Sequence, residues 1–253
     1  MKWITAFFMT WGQFCAIPCP YKRWDNELRP RQIVCLPILG LVLGIIWAAV
    51  GFVLSVLRCP ALIAAAVMTA VPWLLTGFIH LDGFMDCADA ILSRRDLETR
   101  LKILKDPTTG SFSVISFCIV LLFSYAAFAS KTSGNFIALV FIPAATRACS
   151  ALAVQLLKPI GHSSYAGSFS KSVRKGHVAA SAVMLALAVA VPVVLGLLTG
   201  DIFDGWLSTA VAAIGSWCTI FACRKDLGGM SGDISGCAIT VGELCGALAW
   251  AII

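Results

Sequence analysis

The sequence predicts an all-α, polytopic integral membrane bundle of about seven transmembrane helices, with an N-terminal interfacial helix and a cytoplasmic amphipathic helix. Three observations carry that prediction. Of 253 residues, 59% are hydrophobic and only 13% are charged, where a soluble domain carries about 25% charged residues. The mean hydropathy is +0.90. The apolar residues gather into runs near the length of about 20 that a bilayer crossing needs, and the connections alternate between rich and poor in Lys and Arg. No linker or internal repeat divides residues 1–253, so a single membrane domain is expected.

The elements follow in order. Residues 1–17 hold one Lys and an apolar run without a small-residue cleavage site, and they lead into Pro18 and Pro20. They read as a short interfacial or re-entrant helix rather than a signal peptide. Seven apolar segments follow: 33–57, 60–77, 111–130, 135–157, 178–199, 202–223 and 236–253. The second is short, and its helix is expected to run on into the polar motif behind it. Between the second and third, Leu97, Leu101 and Leu104 share one face of a charged stretch. That pattern predicts an amphipathic surface helix capped by Ser93 and ended by Pro107 and Gly110. The connection 159–177 is long and basic, with His162, Lys171, Arg174 and Lys175. It is either a solvated loop or a cover for a polyanionic substrate.

From the N-terminus onward the connections hold 5, 1, 5, 1, 4, 0 and 2 Lys or Arg residues. By the positive-inside rule the N-terminus lies in the cytoplasm and, with seven spans, the C-terminus outside. The net charge of +6 is therefore topological. A lipid bilayer is the expected partner and nucleic acid is not. The eleven cysteines include no CxxC pair and fall mostly inside apolar segments. They read as small buried residues of a reducing compartment.

The most informative stretch is His80-Leu-Asp-Gly-Phe-Met-Asp-Cys-Ala-Asp-Ala90. Asp82, Asp86 and Asp89 are spaced i, i+4, i+7, on one face of a helix. Three carboxylates in a row repel one another, and hard oxygen ligands at this spacing suit Mg²⁺ or Mn²⁺ together with substrate phosphates. The alternative, a solvated acidic face, fits poorly with the apolar residues between them. His80 is a ligand, a general base, or an interfacial histidine satisfied by water. Lys105 and Asp106, just past the amphipathic helix, can meet a phosphate and add a metal ligand. The last loop, 227–236, has four glycines with Ser231 and Asp233 before a helix. It is a phosphate cradle or an ordinary turn with Asp233 near the N-cap. Arg147 and Glu243 lie well inside apolar segments, where a charge is costly. They pair with each other, or Arg147 faces a substrate phosphate. Snorkelling is a poor account of Arg147, about ten residues and roughly 15 Å from the cytoplasmic end.

Several of these motifs together resemble the cobalamin synthase (adenosylcobinamide-GDP ribazoletransferase) family. Its Leu-His-Leu-Asp-Gly-X-X-Asp-X-X-Asp-Ala hallmark is similar to residues 79–90, with Ile79 in the first place. Its Lys-Asp-X-X-X-Gly-X-Phe is similar to residues 105–112. Its Gly-Gly-X-Thr-Gly-Asp-X-X-Gly is similar to residues 228–236, with Ser231 for the usual Thr. The intramembrane Arg after a proline falls at Pro143 and Arg147, and the Glu of the final helix at Glu243. Cys87 and Cys149 are further departures, and the resemblance runs the length of the chain.

The resemblance implies transfer of adenosylcobinamide phosphate from adenosylcobinamide-GDP to α-ribazole or its 5′-phosphate, with release of GMP and Mg²⁺ as cofactor. It implies a bacterial inner-membrane location with the site facing the cytoplasm. Self-association, or contact with other cobalamin-assembly enzymes, stays open. The expected catalytic residues are Asp82, Asp86, Asp89 and Asp233, the last a ligand or the base. Substrate contacts are expected at His80, Lys105, Arg147, Gly228, Gly229 and Ser231, and metal contacts at Asp82, Asp86, Asp89, Asp106, Asp233 and Glu243. A CDP-alcohol phosphotransferase is a rival, but its Asp-Gly followed by Ala-Arg is missing. A transporter should show related halves or broken helices at the midplane; neither is visible. A non-catalytic subunit gives no reason for three aligned Asp residues.

Overall fold

The structure is a computed structural model and describes residues 1–131, 136–161, 173–199 and 204–253. Its helices are α1 (Lys2–Phe14), α2 (Arg29–Val34), α3 (Leu36–Val56), α4 (Ala61–Leu75), α5 (Ile79–Leu92), α6 (Leu97–Ile103), α7 (Ser111–Ser130), α8 (Ile137–Leu156), α9 (Lys175–Thr199), α10 (Asp204–Leu227) and α11 (Gly232–Ile252). Six of them, α3 and α7 to α11, are long and apolar enough to cross a membrane. α8 is buried along almost its whole length by its neighbours, whereas α9 turns most of its surface outward.

Two sets of contacts mark opposite ends of the bundle. At one end Trp47, Phe128, Phe136 and Trp250 cluster, with ring centroids 5.6, 5.7 and 6.0 Å apart for the pairs Trp47–Phe128, Phe128–Trp250 and Phe136–Trp250. The Trp47 indole donates to the Met68 carbonyl at 2.8 Å. This gathers the later part of α3, the middle of α4, the end of α7, the start of α8 and the end of α11. At the other end Phe14, Leu36, His80, Asp82, Ile160, Ser231 and Asp233 line one cavity. That joins the end of α1 to the starts of α3, α5 and α11 and to the segment after α8. Gly205, at the start of α10, lies against Pro192 of α9 and Ile137 at the aromatic end. Each long helix therefore passes from one end to the other, and so does α4 despite its 15 residues. Six helices are long and apolar enough to cross, and the end-to-end run of α4 fits the seventh crossing that the alternating Lys and Arg predict.

The helix of the second crossing does not run on into the aspartate motif as expected. Gly77 and Phe78 take positive φ values of 58° and 64°. Phe78 N–H bonds the Trp73 carbonyl at 2.9 Å and Gly77 N–H bonds the Leu74 carbonyl at 3.2 Å. That is a Schellman cap, with Gly77 in the left-handed position that glycine adopts without steric cost. α5 leaves at 91° to α4. It lies across the cavity end of the bundle, outside the crossing segments.

Other boundaries shift as well. Residues 29–34 form the separate helix α2, so the first crossing begins at Leu36. The surface helix is only Leu97–Ile103, and its cap is Asp96, which accepts from Thr99 N–H at 3.0 Å. Ser93 instead donates to the Ala90 carbonyl at the end of α5, at 2.7 Å. The leucine face of α6 turns only partly toward protein: Leu101 and Leu104 line the cavity, while Leu97, beside Gly228, stays about half exposed. α1 packs Ala6 and Met9 against Leu28 and Cys35 at the same end, as an interfacial helix would.

Candidate active site

α5 and α11 cross at glycines. A Cβ on Gly83 would lie 2.8 Å from the Asp233 carbonyl oxygen, and one on Gly236 would lie 2.9 Å from the His80 carbonyl oxygen. Without side chains at these two positions the backbones approach closely, as small residues permit in membrane bundles. Thr240 Oγ1 donates to the His80 carbonyl at 3.1 Å and pins the crossing. The approach brings Asp82 of α5 and Asp233 of α11 to one cavity of about 350 Å³. Lys105, Gln13, Ser150, Ser231 and Ser235 also line it.

Asp86 sits one helical turn beyond Asp82. Its carboxyl is pushed up to about 6, by burial first and then by the charges of Asp82, Asp233 and Asp89. Mutual repulsion of four carboxylates is what a divalent cation relieves. Hard oxygens from two helices beside an open cavity fit Mg²⁺ in chemistry. Among the described residues no three of these carboxylates bring oxygens within 4.8 Å of one another. Few of them would touch one ion directly, which suits a cation that keeps waters and substrate phosphates in its shell.

The remaining expected residues have varied surroundings. Asp89 accepts from Gly110 N–H at 2.7 Å and Ser113 N–H at 2.9 Å, capping α7. Asp106 is exposed and accepts from Thr108 N–H and Oγ1 at 2.9 and 2.6 Å, which holds its carboxyl below the usual range; it does not line the cavity. His80 is buried, with its ring stacked at 6.0 Å on Phe14 and its Nε2 without a hydrogen-bond partner among the described residues. Burial, and then the charge of Arg147, holds its pKa well below 6.5. Burial thus favours the neutral imidazole, at the wall of the cavity.

The glycine-rich loop is a clamp. Met230 N–H bonds the Lys158 carbonyl at 2.9 Å, and Ile160 N–H bonds the Met230 carbonyl at 3.0 Å. Gly229 lets the 159–160 backbone lie against it, and Gly228, with φ 77°, ends α10. Neither glycine lines the cavity. The N-cap of α11 is Ser231, which accepts from Ile234 N–H at 3.2 Å and donates to Asp233 Oδ2 at 3.3 Å. Asp233 lies just inside the helix, where the dipole favours a carboxylate. Residues 162–172 of the basic connection, with His162 and Lys171, lie outside the described residues.

Arg147 and Glu243 pair with each other. Their Nη1 and Oε1 atoms are 2.6 Å apart, and both side chains are nearly inaccessible. Arg147 also donates to the Pro143 carbonyl at 3.2 Å. The Glu243 carboxylate, expected as a metal ligand, is thus taken by Arg147. Neither side chain lines the cavity. They brace α8 against α11 behind it.

Residues 6–251 match the family model described as cobalamin-5-phosphate synthase. The chain belongs to the cobalamin-5-phosphate synthase family. Among curated relatives, the adenosylcobinamide-GDP ribazoletransferase of Clostridium perfringens (strain SM101 / Type A) is 37% identical over 98% of each chain. That of Clostridium botulinum (strain Alaska E43 / Type E3) is 35% identical, over 95% of this chain and 94% of its own. That of Lachnoclostridium phytofermentans is 29% identical, over 98% of this chain and 94% of its own. No solved structure matches the chain.

Three polar lining residues are not singled out by the sequence alone. Ser150 and Ser235 share a hydrogen bond of 2.6 Å across α8 and α11. Gln13 accepts from Gln32 Nε2 at 2.7 Å. Ser150 lies three residues after Arg147, a helical spacing that offered a signal. Gln13 offered none, because only the fold brings α1 beside α5.

Proposed function

We propose that the chain transfers the adenosylcobinamide phosphate group from adenosylcobinamide-GDP to α-ribazole, or to its 5′-phosphate, releasing GMP and forming adenosylcobalamin or its 5′-phosphate. One observation carries this reading: Asp82 and Asp233, held together by the glycine crossing, share a cavity with Lys105 in a chain of this family. A ribose hydroxyl oxygen attacks the phosphorus nearest cobinamide. The bond from that phosphorus to the oxygen bridging it to GMP breaks, and GMP leaves with the electron pair. The hydroxyl proton passes to a carboxylate, for which Asp233 is the candidate.

Asp82 and Asp86 would hold Mg²⁺ together with water and substrate phosphate oxygens, with Asp89 steadying α7 beside them and Asp233 left to take the proton. Bound there, Mg²⁺ supplies neutralising charge to the diphosphate. Lys105 would contact a phosphate oxygen as a point charge. The N-terminus of α11, capped by Ser231, adds a positive dipole end at the cavity wall. The basic connections gather at the cavity end, which supports a cytoplasmic membrane protein whose N-terminus and site face the cytoplasm.

The test is GMP release by the purified chain in lipid. Release that needs both substrates and Mg²⁺, and that Asp82→Asn abolishes, supports the transfer. No release, with solute uptake into sealed vesicles, overturns it in favour of a transporter.

A further inference from the structure

We propose that Cys87, Cys223 and Cys237 form a binding site for one thiophilic closed-shell cation, Cu⁺ or Zn²⁺, beside the glycine crossing. The inference does not depend on the reaction proposed above. The three sulfurs come from α5, α10 and α11 and lie within 4.8 Å of one another. The Sγ atoms of Cys223 and Cys237 are 3.9 Å apart. The residues are 1%, 5% and 6% exposed, so the cluster is shielded from solvent. Among the described residues it is the only group of three or more His, Cys, Asp or Glu side chains at ligand spacing. The remaining cysteines join no such group among the described residues.

Soft sulfur ligands select Cu⁺ and Zn²⁺ over the hard cations that suit carboxylates. The cluster is therefore chemically separate from the aspartates, although Cys87 follows Asp86 directly. Three sulfurs without a fourth described side chain match Cu⁺; Zn²⁺ would complete its usual four ligands with a solvent molecule. On binding, S–H bonds give way to S–metal bonds, the protons leave to solvent, and no electron is transferred. Each ligating sulfur gives up its proton, so three thiolates release three protons and leave the set at −1 with Zn²⁺ or −2 with Cu⁺. Such an ion would tie α5 to α10 and α11 just beyond Gly83 and Gly236, fixing the direction in which Asp82 and Asp86 project.

The experiment uses the full chain in lipid nanodiscs under reducing, anaerobic conditions. Separate samples are incubated with Cu⁺ or Zn²⁺ and desalted, and retained metal is measured by mass spectrometry. Wild type should retain about one equivalent more than Cys87→Ala, Cys223→Ser or Cys237→Ala, while Cys118→Ser, at an exposed position, should match wild type. The metal retained identifies the occupant. A second readout needs no variant: the same metal should raise the wild-type Tm, and a thiol-based chelator should reverse the rise. Equal retention by wild type and all three triad variants, or an unchanged wild-type Tm at saturating Cu⁺ and Zn²⁺, would overturn the site and leave three packed thiols.

Discussion

Replacing Gly236 by alanine puts a methyl group 2.9 Å from the His80 carbonyl oxygen and 3.1 Å from its Cα, both backbone atoms that no rotamer change can move. Ordinary contact begins at 3.4 Å, so α5 must retreat by about half an ångström in a close-packed interior. Overpacking of this kind costs about 1–3 kcal/mol. The larger consequence is catalytic. Asp82 rides on α5 and Asp233 on α11, so the retreat widens the gap that sets their joint reach into the cavity. Misplacement of reacting groups by about 1 Å lowers turnover about 100-fold, so half that shift should lower it roughly 10-fold. Gly83→Ala, whose methyl would meet the Asp233 carbonyl oxygen at 2.8 Å, should behave alike. Gly176→Ala is the control, because a Cβ there meets nothing within 4 Å. The assay is GMP release in lipid beside a thermal unfolding curve for each variant. Wild-type turnover in both crossing variants would refute the reasoning that this crossing positions the carboxylates.

Three further outcomes follow from the site. Glu243→Ala leaves Arg147 buried without its carboxylate and should cost about 3–5 kcal/mol in unfolding experiments, while Glu243→Leu with Arg147→Leu should recover much of that loss. Asp89→Ala strips the cap from α7 and should cost about 0.5–2 kcal/mol of stability, whereas Asp82→Asn should abolish turnover with the Tm nearly unchanged; the reverse pattern would exchange their roles. Asp86 has a folded-state pKa of about 6 against an ordinary 3.8. Its contribution is fully present below 3.8 and is lost as pH rises through 6. Without Mg²⁺ the Tm should therefore fall over that window, Mg²⁺ should restore it above pH 6, and Asp86→Asn should flatten the metal-free profile.

Much of the architecture is readable in the sequence because the bilayer imposes it. Apolar runs of the required length and alternating basic connections give the crossings and their order. Local motifs also placed Asp82, Asp233 and Lys105 at one end. What escaped is set by backbone geometry and by distant partners. Hydropathy is blind to a turn, so the break at Gly77 and Phe78 was invisible to it, although a glycine after an apolar helix is a recognisable stop. The i, i+4, i+7 spacing put Asp89 on the same face as Asp82 and Asp86, yet Gly110 and Ser113 claim its oxygens. The glycines at 228 and 229 read as a cradle or as an ordinary turn, and the 158–160 backbone, about seventy residues earlier, accounts for them. The pairing of Arg147 with Glu243 was among the sequence-level alternatives, since two opposite buried charges have few other ways to be tolerated.

The 15 residues of α4 give the protein a thin flank. At 1.5 Å per residue the helix spans about 22 Å, against about 30 Å of hydrocarbon in a typical bilayer. Lipid beside α4 must compress, or the turn at Gly77 must sit below the headgroups and draw water down to it. Either way α5 would lie in a dimple of the membrane surface rather than on a platform above it. Large polar substrates would then approach from the aqueous phase and still meet the carboxylates below the plane of the surrounding phosphates. Turnover measured in vesicles of graded acyl-chain length should then fall as the bilayer thickens.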